Sequence, residues 1–287
     1  MQHIYLLDNT QTRGTDIDSV LITGAGFLAK GLTKELLYRG VRRVCIYSRN
    51  EYSQYLFAQS VDNDRLRMFL GDVRDKERLE IAMRGIDTVI HTAALKRVEV
   101  GRYNPTEMLE TNVTGSSNVI KTCAAAGVRR AILISSDKAV EPLNCYGVSK
   151  AAAEHLWIGA NDMSLGPEYV AVRYGNVAGS TGSLIPIWRA AKGEVEVRHP
   201  DATRFWMSLD DAVQCVMREM DSQPGSIDMP TMPAYRLADM AEAMGVRYRV
   251  TKLQPGEKMH ESIMPGVTSE HARRMSVTEL REALERV

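Results

Sequence analysis

The chain has 287 residues, with 36 basic and 36 acidic side chains and a formal net charge of zero. That length suits one large domain, or a domain with a smaller appendage, and supplies a core that needs no staples. The zero balance excludes a global basic field of the kind that gathers nucleic acid or anionic membrane.

No apolar run reaches the roughly 18 residues needed to span a bilayer, and no charged-then-apolar leader opens the chain. Cys45, Cys123, Cys145 and Cys215 are dispersed without metal-ligand spacing, and the six histidines form no cluster, so no metal is expected. A cytoplasmic, reducing setting is the expectation.

Residues 1–18 carry no clear signal and read as an N-terminal extension. Short apolar runs then alternate with helical patterns. The runs are SVLIT (19–23), RVCIY (43–47), RMFLG (67–71), DTVIH (87–91), RAILIS (130–135) and YVAVR (169–173). The helical segments between them include LAKGLTKELLYRG, DKERLEIAMRG and TNVTGSSNVIKTCAAAG, several closing on Gly. Continuous apolar strands alternating with helices predict a parallel sheet covered on both faces. The expected fold is therefore α/β: a doubly wound, parallel-sheet Rossmann domain over residues 1–176.

After Arg173 the rhythm breaks, and residues 177–287 are expected to form a smaller C-terminal substrate lobe, with parts of 207–229 returning to the sheet. SLDDAVQCVMREMD, YRLADMAEAMG and SVTELREALERV read as helices. The last opens with Ser276 and Glu279 at capping-box spacing. Phe205 and Trp206 are expected in the core of the lobe.

The first strand runs into Thr23-Gly24-Ala25-Gly26-Phe27-Leu28-Ala29, a G-x-G-x-x-A turn. Small residues there let the backbone approach a pyrophosphate, whose charge a helix N-terminus favours. The second strand ends at Tyr47-Ser48-Arg49, where an NAD site usually places a carboxylate. A guanidinium suits a 2′-phosphate, so NADP is expected, with NAD open if Glu51 takes the ribose. Asp72 and Val73 follow the third strand, and Asp72 is placed at the adenine edge or in a turn. Ala93 and Ala94 leave room for the cofactor, while His91 reads as a packed strand-end histidine.

Tyr146 and Lys150 stand four apart on a predicted helix after the fifth strand, hence on one face. A nearby ammonium and an oxidised nicotinamide both favour the phenolate and would lower the phenol from its usual value of about 10. Such a Tyr takes the proton of a sugar hydroxyl while a nicotinamide takes the hydride.

SSDKAVEPLNCYGVSK, RYGNVAGS, ATRFWMSLDD and PGEKMHES together resemble the extended short-chain dehydrogenase/reductase superfamily, and within it the soluble, inverting UDP-N-acetylglucosamine 4,6-dehydratases. In bacteria these open the route to pseudaminic acid and related 6-deoxy sugars. The resemblance runs from about Val20 to Pro265. It implies oxidation at sugar carbon 4, loss of the carbon 5 proton and the carbon 6 hydroxyl, and return of the hydride to carbon 6. It implies Lys138 as the carbon 5 base, Asp137 as the acid and Ser136 as a donor to the reacting oxygen. A basic Lys138 would need a lowered pKa, expected from burial near positive charge. Lys96, Asn176, Arg204 and Lys258 are implied for the UDP-sugar. The helix TNVTGSSNVIKTCAAAG and the Tyr146 helix correspond to the pairing surfaces of a homo-oligomer.

Departures fall mainly on the substrate side. Thr181 and Gln254 stand where relatives tend to have Arg, and His199 lies where they often have Asp. Asn50 replaces the usual acidic residue, and GAGFLA is one residue shorter than the relatives' glycine loop. Competing readings are a nucleotide-sugar 4-epimerase, a dehydratase of another sugar, and a non-catalytic NADP-binding sensor.

Overall fold

A computed structural model describes residues 17–287; the extension expected over 1–18 lies outside them except for its last two residues. Strand β1 (Ser19–Thr23) leads to helix α1 (Phe27–Tyr38), and β2 (Arg43–Ser48) to α2 (Glu51–Val61). Next come β3 (Leu66–Leu70), α3 (Lys76–Ala82) and β4 (Thr88–His91). Two short helices, α4 (Val98–Tyr103) and α5 (Pro105–Leu109), precede α6 (Gly115–Ala126). Then follow β5 (Arg130–Ile134), α7 (Cys145–Asp162) and β6 (Glu168–Val172).

The remainder holds β7 (Asn176–Val177), α8 (Leu184–Ala190), β8 (Val195–Val197), β9 (Thr203–Met207), α9 (Leu209–Arg218), β10 (Ile227–Asp228) and β11 (Ala234–Arg236). It closes with α10 (Leu237–Ala243), β12 (Tyr248–Val250), β13 (Ser262–Met264), β14 (Val267–Thr268) and α11 (Val277–Leu284).

Seven strands form one sheet in the order β10-β6-β5-β4-β1-β2-β3, and every pairing in it is parallel. The order reverses between β1 and β4, which opens a crevice beyond their C-terminal ends. Val, Ile and Leu suit strands buried on both faces, and every residue of β1 and β4 is buried. One apolar layer joins Leu32 and Leu36 of α1 to Val213 and Val216 of α9. On the opposite face, Leu79, Val119 and Trp157 pack from α3, α6 and α7. Thus β10 and α9, which follow the lobe's first strands in sequence, build the sheet and its cover.

A separate core gathers Trp188, Trp206, Tyr235 and Leu280 in the lobe. Phe205 is buried with the sheet layer instead. Ser276 and Glu279 form the capping box of α11. Among the described residues no helix is long and apolar enough to cross a membrane, and no three or more His, Cys, Asp or Glu gather as a metal site.

The five residues Glu110–Thr114 between α5 and α6 make a π-turn. Asn112 sits within it. Its Oδ1 accepts from the Leu95 N–H at 2.8 Å, and its Nδ2 donates to the Leu95 carbonyl and to Ser149 Oγ, both at 2.9 Å. The loop after β4 and helix α7 are thereby joined through one buried amide.

Candidate active site

The crevice at the sheet reversal widens into a cleft of about 940 Å³ between sheet and lobe. Gly24, Gly26, Phe27, Leu28, Ala93 and Ala94 line one part, and Ser136, Lys138, Tyr146 and Lys150 another. Lys96, Asn176, Arg204 and Lys258 also line it. A smaller cavity of about 150 Å³ adjoins, lined by Ser48, Arg49 and Val73 together with Gly24, Ala93 and Ala94. Of the residues expected to serve catalysis, the cofactor or the sugar, Asp72 and Asp137 are absent from both walls.

The glycine turn fits a diphosphate. Gly24 has φ +96°, and a Cβ there would lie 2.7 Å from Thr92 Oγ1, so the position needs glycine. Gly26 precedes α1, which has no side-chain cap, and a Cβ on it would meet no atom within 4 Å. Uncapped N–H groups beside open space are what an anionic group requires.

Asp72, expected at the adenine edge or in a turn, is paired with two arginines. Its carboxylate takes Arg74 Nη2 at 2.8 Å and Arg49 Nη1 at 3.4 Å. Burial alone would raise its pKa, but the Arg74 hydrogen bonds and the Arg49 charge bring it below the usual range. Its structural part is to anchor Arg49 at the mouth of the smaller cavity. His91 is a packed histidine. Its ring nitrogens meet Thr23 Oγ1 at 2.7 Å and Ser116 Oγ at 3.1 Å, it stacks on Trp157, and burial, then Lys150, pushes its pKa down to about 3.

The chemistry-bearing turn follows β5. Ser136 caps a short 3-10 turn, Asp137–Ala139, and its Oγ donates to Asp137 Oδ1 at 2.9 Å. Asn144 then caps α7 through the Gly147 N–H, which sets Tyr146 in the first turn beside Ser136. Lys138 Nζ lies 3.1 Å from Asp137 Oδ1, 3.4 Å from Asn176 Oδ1 and 3.2 Å from Glu261 Oε1. Asp137 is 1% exposed and Glu261 3%. Lys138 therefore bridges a carboxylate beneath the cleft and one from the lobe.

Lys138 was expected to be driven towards the amine. Burial does press that way, but Asp137 and Glu261 outweigh it and raise the pKa. At Tyr146, burial raises the pKa over the opposing pull of Lys138, among the protein's own groups and before the charge of an oxidised nicotinamide acts on the phenol. The ammonium acting on the phenol is that of Lys138. Lys150 instead donates to the Ile134 carbonyl at 2.5 Å, and burial brings its pKa down to about 8 against the Glu154 charge. Burial raises the Asp137 pKa despite Lys138, and Glu261 adds to the rise.

Arg204 and Lys258 are less free than a diphosphate clamp would suggest. Arg204 Nη1 donates to the Thr203 and Met259 carbonyls, and its Nε lies 3.7 Å from Glu261 Oε1. Lys258 Nζ donates to the Val140 carbonyl. Glu261 itself was given no role from sequence. The signal lay inside PGEKMHES, whose final Glu the fold carries to Lys138.

The polysaccharide biosynthesis protein family model matches residues 20–281. The chain belongs to that family. It is 40% identical over 255 residues to a UDP-N-acetylglucosamine 4,6-dehydratase (inverting) from Campylobacter jejuni, covering 85% of this chain and 76% of the relative. It is 34% identical over 253 residues to a UDP-glucose 4-epimerase from Rickettsia akari, covering 84% and 74%. The X-ray structure of Pen from Bacillus thuringiensis superposes with a TM-score of 0.89 at 30% identity, covering 94% of this chain and 97% of that one. The doubly wound architecture read from the sequence is thus that of solved relatives.

Proposed function

We propose that the chain is a nucleotide-sugar 4,6-dehydratase acting on UDP-N-acetylglucosamine and inverting carbon 5. One observation carries the reading: Lys138, in the wall of the cleft that Tyr146 also lines, touches the buried Asp137 behind it at 3.1 Å. An acid and a base beside the phenol serve an elimination, whereas hydride transfer alone needs neither. The 40% identity to the Campylobacter jejuni dehydratase supports the choice of sugar.

The glycine turn and uncapped α1 would hold the diphosphate of a nicotinamide cofactor, with Ser48 and Arg49 towards its ribose. NADP is preferred over NAD because Arg49 offers a guanidinium there. When bound, the cofactor supplies hydride acceptance at sugar carbon 4 and hydride return to carbon 6.

The protein's own groups move the protons. Tyr146 takes the proton of the carbon 4 hydroxyl, with Ser136 donating to the same oxygen. The resulting ketone acidifies carbon 5. A proton shifted from Lys138 Nζ to Asp137 Oδ1 leaves an amine and a carboxylic acid, the base for carbon 5 and the acid for the departing carbon 6 hydroxyl. The carboxylates around Lys138 oppose loss of its charge in the substrate-free protein, while the raised Asp137 pKa assists the transfer. Asn176, Lys96, Arg204 and Lys258 would bind the nucleotide sugar.

Incubation with UDP-N-acetylglucosamine and NADP in deuterated water, followed by proton NMR, tests the proposal. The expected product has a carbon 6 methyl signal, deuterium at carbon 5 and inverted configuration there. A galacto product would mean an epimerase, and unchanged sugar would refute the substrate. Exposed Val148 and Leu156 on α7, with Met163 just beyond its end, support a homodimer, which a monomeric mass by light scattering at micromolar concentration would disprove. A cytoplasmic setting goes with this reading and with four free thiols.

A further inference from the structure

We infer that Glu261 is a positioning residue of this site: it fixes the Lys138 ammonium between lobe and sheet, and its charge sets the pH range over which the Asp137–Lys138 pair works. The inference rests on the dehydratase reading and assigns a function to a residue outside it.

Three features support it. Glu261 comes from the lobe, just before β13, yet its Oε1 is 3.2 Å from Lys138 Nζ, as near as Asp137 Oδ1 on the other side. Lys138 is therefore held from two directions. Glu261 is also almost wholly buried, and its Oε2 has no hydrogen-bond partner, as is true of Asp137 Oδ2. A carboxylate is not left so in a protein interior without compensation. Finally, the compensation is uneven. Glu261 has Lys138 and Arg204 within 4 Å and Lys258 nearby, while Asp137 has Lys138 alone. Two carboxylates around one ammonium do not both ionise freely. The member with more cations keeps its charge, so Asp137 is the carboxylate that more readily takes up the proton it must deliver.

The charged and titratable groups facing this cluster come from several elements. Ser136 and Tyr146 face Asp137 from the turn and α7, Tyr235 from β11, Arg204 from β9 and Lys258 from the lobe. None but Glu261 brings a second negative charge onto Lys138. Removing that charge lowers the pKa of Lys138 and of Asp137 together, so both limbs of the rate profile move the same way.

The test is the pH dependence of kcat for methyl formation in wild type, Glu261→Gln and Arg204→Gln. For Glu261→Gln the profile should slide by about one to three units towards acid. Its maximum should fall about 10- to 100-fold, as for a misplaced catalytic group, with KM within about twofold. Arg204→Gln, which removes positive charge, should slide the profile towards alkali and keeps the test open if the first variant does not fold. Glu261→Asp, which keeps the charge, should restore the wild-type pH range. A lowered maximum with an unmoved profile would overturn the inference while leaving the dehydratase reading intact. Absence of methyl product from the wild type would remove both.

Discussion

Lys138→Met is the perturbation whose cost follows most directly from the geometry. It deletes an ammonium lying 3.1 and 3.2 Å from two carboxylates and keeps the aliphatic stem. Removing one partner of a buried ion pair costs about 3–5 kcal/mol. Here the lower end applies, about 3 kcal/mol, because the Lys138 side chain is 23% exposed and Arg204 still faces Glu261. The cost is also capped, since a stranded carboxylate can take a proton. For Asp137 at pH 8 the cap is about 5.6 kcal/mol, from 1.36 kcal/mol per unit above an unfolded value of about 3.9. At pH 5 the cap falls to about 1.5 kcal/mol.

The sign follows from linkage. A carboxyl whose folded pKa lies above its unfolded one loses stability as pH rises from the unfolded value. Thermal unfolding at pH 8 should therefore show the variant about 6 °C below wild type, at about 2 °C per kcal/mol for a chain of this size. At pH 5 the gap should shrink by half or more. Equal gaps at the two pH values, or none at pH 8, would refute a buried, charge-paired Lys138.

Gly24→Ala and Gly26→Ala should separate strain from ligand space. The first should cost about 1–3 kcal/mol by chemical denaturation because of its left-handed backbone. The second should leave stability within about 0.5 kcal/mol while NADPH fluorescence titration shows weakened binding. Arg49→Ala should lower affinity for NADP by about tenfold or more and leave NAD little changed, because only the 2′-phosphate uses the guanidinium; equal losses for both cofactors would count against that role. Tyr146→Phe should abolish reduced-cofactor absorbance on mixing with substrate, by about 100-fold or more, with a melting temperature within about 1 °C of wild type.

Much of this architecture is legible in the sequence because strand hydrophobicity is local. SVLIT coincides with β1, and the other five runs fall within a residue of their strands. The capping box at Ser276 and the glycine turn are likewise short-range signals. Glu261 was not legible as a partner of Lys138, since long-range folding brings β13 under the turn after β5. The protonation states were misjudged for the same reason. Sequence places Lys150 four residues after Tyr146, but a lysine's reach lets it choose the Ile134 carbonyl. The convergence of Arg49 and Arg74 on Asp72 is likewise a property of the folded chain, with Arg49 brought from the end of another strand. The short β7 and α8 lay hidden in a Gly-rich stretch whose composition reads as loop.

The π-turn at Glu110–Thr114 has a mechanical consequence. One residue fewer would restore ordinary α geometry and swing the side chains beyond it by about 100°. Asn112 would then lose its grip on Leu95 or on Ser149. With the amide in place, the loop carrying Ala93, Ala94 and Lys96 is braced against the helix carrying Tyr146 and Lys150. That side of the cleft is tied together by one buried amide. The lobe meets that braced side at two points, Glu261 on Lys138 and Lys258 on the Val140 carbonyl, so the width of the cleft and the surroundings of the Lys138 ammonium are set by the same contacts.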